Sequence, residues 1–264
     1  MSLITKKPLN PFLPLIGGLI SLAWITLWVW EQSPYGRYLN HQELADLDLG
    51  SLNQAGLYVV GWCLMVVAMM LPTSLPLVEM FRRLTHRRDD HRQLVALLIA
   101  GYLAVWLGFG LVAHIFDWSL HELVEAVPYL VVNAWIFGAA VLITAGAFQF
   151  SSLKYRCLDK CRAPLSFLSQ HWRGSAQSAQ AFLLGAHHGL FCLGCCWALM
   201  LLMFAVGTGN VGWMMGLGAV MAIEKNVSWG RRLSAPLGVG LLAWGLAIVG
   251  ANTGAFDLLG TMAG

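Results

Sequence analysis

Seven apolar stretches, each close to the length that crosses a lipid bilayer, dominate this sequence. They run over Phe12–Trp30, Ala55–Phe81, Leu94–Phe116, Tyr129–Phe150, Ala181–Val206, Gly209–Ile223 and Leu233–Ala251. A hydrocarbon core about 30 Å thick needs roughly 20 mostly apolar residues per helix, with every backbone polar group bonded inside the segment. The sequence therefore predicts an all-α polytopic membrane protein: a bundle of about seven transmembrane helices forming one domain over residues 1–264. The sixth stretch is the weakest, with Asn210 at its start and Glu224-Lys225 at its end. The first reads as a span rather than a cleavable signal, because it ends in Trp28-Val29-Trp30, an interfacial anchor, and not in small residues.

Composition agrees. Hydrophobic residues make up 58% and charged residues only 11%, against about 25% charged in an ordinary soluble domain. That excludes a disordered chain and a nucleic-acid binder built on basic stripes, and it points to membrane lipid as the surrounding partner. The basic residues are unevenly placed. Lys6 and Lys7 precede the first stretch, and five Arg fall between Arg82 and Arg92. Five basic residues fall between Lys154 and Arg173, and Lys225, Arg231 and Arg232 follow the sixth stretch. In a seven-span arrangement all of these share one side, and only Arg37 lies on the other. The positive-inside rule then puts the N-terminus in the cytoplasm and the C-terminus outside. Segment 31–54, with a capping start at Asn40-His41-Gln42-Glu43, would lie outside.

Chemistry concentrates in the cysteines. Cys157 and Cys161 are four apart and share a face if residues 151–162 are helical. Cys192, Cys195 and Cys196 share a face of the fifth stretch, with His188 one turn before and Met200 and Met203 after. At 100° per residue these six side chains fall within about 140° of arc. Thiolates and thioethers together select soft ions, Cu(I) foremost. Zinc ranks second, because it takes Cys, His and carboxylates rather than thioethers. Gly185 and Gly189 lie beside this face at a spacing that lets another helix come close. Cys192 lies about 16 Å into its helix, while Cys157 and Cys161 lie at the cytoplasmic edge. One site of five cysteines requires segment 151–180 to fold back; two separate sites do not.

Met65 and Met69 are helical neighbours in the second stretch, followed by Pro72 and Pro76. The prolines predict a kink that frees the Ala68 carbonyl, and Met69 is a candidate thioether facing the fifth stretch. Gln149 reads as a buried amide bonding across helices, Cys63 as a packing residue, and His187 as an interfacial one. Glu224 and Lys225 read as a snorkelling pair at the membrane surface. No phosphate loop, zinc-protease signature or nucleophile elbow is present, so nothing argues for an enzyme.

Several of these residues form motifs. They are Met69-Met70-x-Pro72, Gly146-x-x-Gln149, Lys154-x-x-Cys157-x3-Cys161-Arg162-x-Pro164, and Gly189-x-x-Cys192-x-Gly194-Cys195-Cys196-Trp197-x-x-Met200, with Glu224-Lys225. Over roughly residues 55–230 the chain resembles a family of bacterial metal-binding integral membrane proteins, some described as membrane copper chaperones. The resemblance implies a multi-span bundle in the bacterial inner membrane. It also implies metal binding and delivery of copper from a donor to an exported or membrane cuproenzyme. The expected ligands are Cys157, Cys161, Cys192, Cys195, Cys196, Met200, His188 and Met69. Two rival readings remain: a membrane thiol–disulfide oxidoreductase, and a structural assembly subunit whose cysteines only pack.

Overall fold

A computed structural model describes residues 12–33, 52–127, 129, 133, 135–173, 177–206 and 210–254. Among these the chain is helical, with no strand. The helices are α1 (Phe12–Gln32), α2 (Leu52–Met69), α3 (Leu71–Thr85), α4 (His91–Ala126), α5 (Trp135–Phe148), α6 (Ser152–Arg162), α7 (Pro164–His171), α8 (Gln177–Val206), α9 (Val211–Asn226) and α10 (Ser234–Thr253). The Asn40 capping start lies outside the described residues.

Local signals set several boundaries. The Ser151 hydroxyl caps α6 by accepting from the Lys154 amide at 3.1 Å, and Asn210 caps α9 by accepting from the Trp213 amide at 2.9 Å. Gly254 ends α10 at φ 68°, a left-handed stop that suits glycine. The second stretch breaks at Met70, with Pro72 in the first turn of α3. The two halves meet at 67°. The freed carbonyl that gathers partners is that of Met70 rather than Ala68. It accepts from Tyr102 Oη at 3.1 Å and Thr73 Oγ1 at 2.8 Å.

Four helices are long and apolar enough to cross a membrane, or six if α2–α3 and α5–α6 each count as one bent span. The expected count of seven is not reached. The shortfall is α9, whose 16 residues extend about 24 Å, less than the hydrocarbon thickness. The turn after it nonetheless returns to α6: Arg231 pairs with Asp159 at 2.9 Å and lies 4.9 Å over the Tyr155 ring.

Helix α8 is the axis of the packing and runs along α4. Glycines make this crossing close, as the 185/189 spacing predicts. A Cβ on Gly185 would collide with the Leu98 carbonyl, and one on Gly101 with that of Phe182. Gly185→Ala is expected to cost about 1–3 kcal/mol by overpacking. Gly108, on the same α4, has open space around it, so Gly108→Ala should be neutral or slightly stabilising. Unfolding both variants in detergent micelles separates the cases; equal effects would discard the close crossing.

Candidate metal centre

On α8, Cys192, Cys195 and Cys196 are buried, as are Met200 and Met203 one and two turns on. Cys195 and Cys196 turn their thiols back to the Cys192 carbonyl, at 3.0 and 2.9 Å. This is the usual way a mid-helix side chain satisfies a donor without leaving the helix.

The second group of cysteines comes to them. After α5 the chain bends by 63° into α6, and α6 packs against α8. Cys157 is buried on Gly194: a Cβ there would stand 2.6 Å from the Cys157 sulfur. The half-buried Cys161 comes near enough to Cys195 for their thiols to interact. Segment 151–162 has thus folded back, and Cys161, Cys192, Cys195 and Cys196 are neighbours. Gly194→Ala is expected to push α6 outward and separate Cys161 from Cys195. The checking measurement is the distance between spin labels placed on α6 and α8; an unchanged distance would refute the packing role of Gly194.

The break between α2 and α3 supplies a thioether. Met70 Sδ lies 4.0 Å from Cys196 Sγ. Met69 points elsewhere: it packs on Gly218 of α9, in an apolar cavity shared with Trp24, Pro72 and Met215. His188 is buried, with its ring 5.9 Å from Tyr102 and 5.6 Å from Phe167. Its Nδ1 has no hydrogen-bond partner. Cys63 stays apart as a half-buried packing residue.

Glu224 and Lys225 correct the expectation most. They are 2% and 5% exposed, not snorkelling. Lys225 Nζ lies 2.9 Å from Cys192 Sγ, 3.8 Å from Cys196 Sγ and 3.3 Å from Thr73 Oγ1. Tyr102 Oη closes this group at 3.1 Å from Cys192 Sγ. Glu224 faces the other way. It binds Lys154 Nζ at 2.7 and 2.9 Å and accepts from Ser234 Oγ at 2.6 Å. Gln149 completes that network through Lys154, across the bend from α5 to α6 rather than across distant helices, and donates to the Ala145 carbonyl of α5 at 3.2 Å. A signal for both residues was in the sequence. Met214, Leu217 and Met221 form a buried stripe on α9, and Glu224 and Lys225 continue it at helical spacing.

Among the described residues no three His, Cys, Asp or Glu side chains converge in metal-ligand geometry. What does meet is the Cys192 and Cys196 thiols with the Lys225 ammonium, and the Met70 thioether beside Cys196, with Tyr102 and Thr73 closing the group. Cys192 and Cys196 thus face a monovalent cation of the protein's own, the Lys225 ammonium. Thiols with a thioether make a donor set of the kind that suits soft metal ions.

Searches among curated proteins and among solved structures found no match. A family model described as PpoB2, copper chaperone, matches residues 59–248, a range that holds every side chain of this cluster. The chain belongs to that copper chaperone family.

Proposed function

We propose that the chain is a membrane-embedded Cu(I) carrier, with Cys161, Cys192, Cys195 and Cys196 as the holding thiols and Met70 as the thioether beside them. The observation that carries this reading is the meeting of α6 and α8, which joins both cysteine groups next to the Met70 sulfur at the break between α2 and α3. Cys157 and Met200 lie one turn away on the same helices and would accept the ion in passing. Exchange between neighbouring soft ligands keeps the metal as Cu(I) and needs no ATP. The direction of delivery then follows from a tighter acceptor, an exported or membrane cuproenzyme. Lys225 supplies the positive charge beside Cys192 and Cys196 that the ion itself supplies once bound.

Exposed apolar faces support a lipid setting. Leu15, Leu22, Ile25 and Trp28 of α1, and Val112, Ile115 and Phe116 of α4, are all more than half exposed, a distribution suited to hydrocarbon. Within that membrane the N-terminus would face the cytoplasm and the C-terminus the outside, with α9 as a short seventh crossing. The Arg231–Asp159 pair and the bond from Arg162 to the Ser228 carbonyl at 2.9 Å support it, since they keep the basic segments 154–173 and 225–232 on one side. Reporter fusions after Arg88, Arg173 and Arg232 should read cytoplasmic, and those after Asn53 and Gly264 external. An external signal at Arg173 would overturn the orientation.

The metal is tested by content. Protein purified under reducing conditions from copper-supplied cells should carry near-stoichiometric copper. The combined Cys192→Ser, Cys195→Ser and Cys196→Ser variant should lose at least about 90% of it. Zinc at stoichiometric level, or no metal in the unmutated protein, would sink the reading.

A further inference from the structure

The sulfur cluster does not use His171, His187 or His188, which lie close to one another. His171 and His188 flank one aromatic ring, and His187 lies beside His171. Phe167 of α7 stacks on His171 at 4.3 Å and meets His188 edge-on at 5.6 Å. The His171 and His187 rings lie 5.3 Å apart. Two imidazoles on one ion, with nitrogens about 2.0–2.1 Å from it, have centroids roughly 5–6.5 Å apart for angles from tetrahedral to linear. The pair therefore has the spacing of a two-nitrogen site.

The tautomer of His171 is set by its partner. Its Nδ1 lies 2.9 Å from the Phe167 carbonyl, which can only accept, so Nδ1 carries the hydrogen. In the neutral ring Nε2 then holds the free lone pair. A backbone carbonyl behind a ligating imidazole is the common arrangement at metal sites, because it fixes the ring and raises its basicity. His187 is exposed and His171 half-buried, so the pair is open to a donor. Helix α8, with 30 residues, is about 45 Å long against a core of about 30 Å. The ten residues before His187 account for the excess and leave it near the membrane surface.

The next residue leads inward. His188 is buried, its Nδ1 is unpartnered, and it precedes Cys192 by one helical turn. We propose that His171 and His187 form a docking site that takes Cu(I) from its donor, and that His188 passes the ion to Cys192. The proposal rests on the copper reading above. The ion stays Cu(I) throughout. Its bond to the imidazole nitrogen breaks as the bond to the Cys192 Sγ thiolate forms; that sulfur already accepts from the Lys225 ammonium at 2.9 Å, so no proton has to move and the imidazole is left neutral.

A second histidine pair provides the contrast. His86 and His91 lie 6.4 Å apart, with His91 Nδ1 3.1 Å from the Arg88 carbonyl. That pair lies at the junction of α3 and α4, and no residue adjacent to it in sequence is a cysteine, whereas His187 is followed directly by His188 and, one turn on, by Cys192.

The test uses the full chain in detergent with Cu(I)–bicinchoninate as donor, following loss of the complex's colour. His187→Ala, at an exposed position, should slow uptake at least about fivefold with the final copper content unchanged. His171→Phe keeps the stacking on Phe167 and should slow it similarly. His86→Ala should have the unmutated rate. Rates within twofold of the unmutated protein for both His187→Ala and His171→Phe would overturn the docking site while leaving the copper reading intact. So would a fall in final copper content, which would make these histidines holding ligands. No uptake by the unmutated protein would defeat the copper reading and the docking site together.

Discussion

Glu224→Ala is expected to destabilise the protein by about 3–5 kcal/mol, the range for breaking a buried ion pair by removing one partner. The Lys154 and Glu224 side chains are 0% and 2% exposed and 2.7 Å apart. Without the carboxylate, the Lys154 ammonium is left in an apolar interior with the Gln149 amide as its remaining partner, and Ser234 loses its acceptor. The pair joins α6 to α9, so α6 should also loosen from α8. Replacing both partners, Lys154→Met with Glu224→Leu, removes the unpaired charge and should recover most of the loss, because an apolar pair of similar volume often replaces a buried ion pair at little cost. The coupling in a double-mutant cycle, measured by unfolding in mixed micelles, should exceed about 2 kcal/mol. A loss under about 1 kcal/mol for Glu224→Ala would mean that water or lipid headgroups reach Lys154.

That ion pair also explains what could be read from the sequence. The α8 stripe was legible because three cysteines at helical spacing in an apolar run admit one geometry, whatever surrounds them. The close α4–α8 crossing was legible for a similar reason: Gly185 and Gly189 leave a groove that a neighbour fills. The return of α6 was not. Its cause is a contact between residues 154 and 224, and no local pattern signals a partner 70 positions away. Likewise Met69 was read in phase with Met65, as a continuous helix would place it. The break at Met70 ends that phase and turns the next sulfur toward Cys196. Glu224 and Lys225 were misread because charge at the end of an apolar run usually seeks water. Here each has a buried partner of its own.

Whether the cysteines make one site or two rests on the contact between Cys161 and Cys195, and a disulfide experiment tests it with a nearly all-or-none result. In a chain retaining only these two cysteines, with Cys63, Cys157, Cys192 and Cys196 changed to Ser, mild oxidation with diamide should cross-link most molecules within minutes. The two thiols are close enough to interact, and neighbouring thiols need only small adjustments to reach disulfide geometry. A protease site inserted at residues 174–176, between α7 and α8, makes the result visible. Cut chains stay joined until reduced if the bond has formed, and separate if it has not. Pairing Cys161 with a cysteine placed at Ala198, one turn further along α8, should give little product. In the native cysteine background, Cu(I) bound beforehand should suppress the bond, because thiols ligating a metal are not free to attack one another. Efficient oxidation despite stoichiometric copper would put the metal away from Cys161 and favour two sites. No cross-link in the copper-free two-cysteine chain would remove the return of α6, and with it the single sulfur cluster.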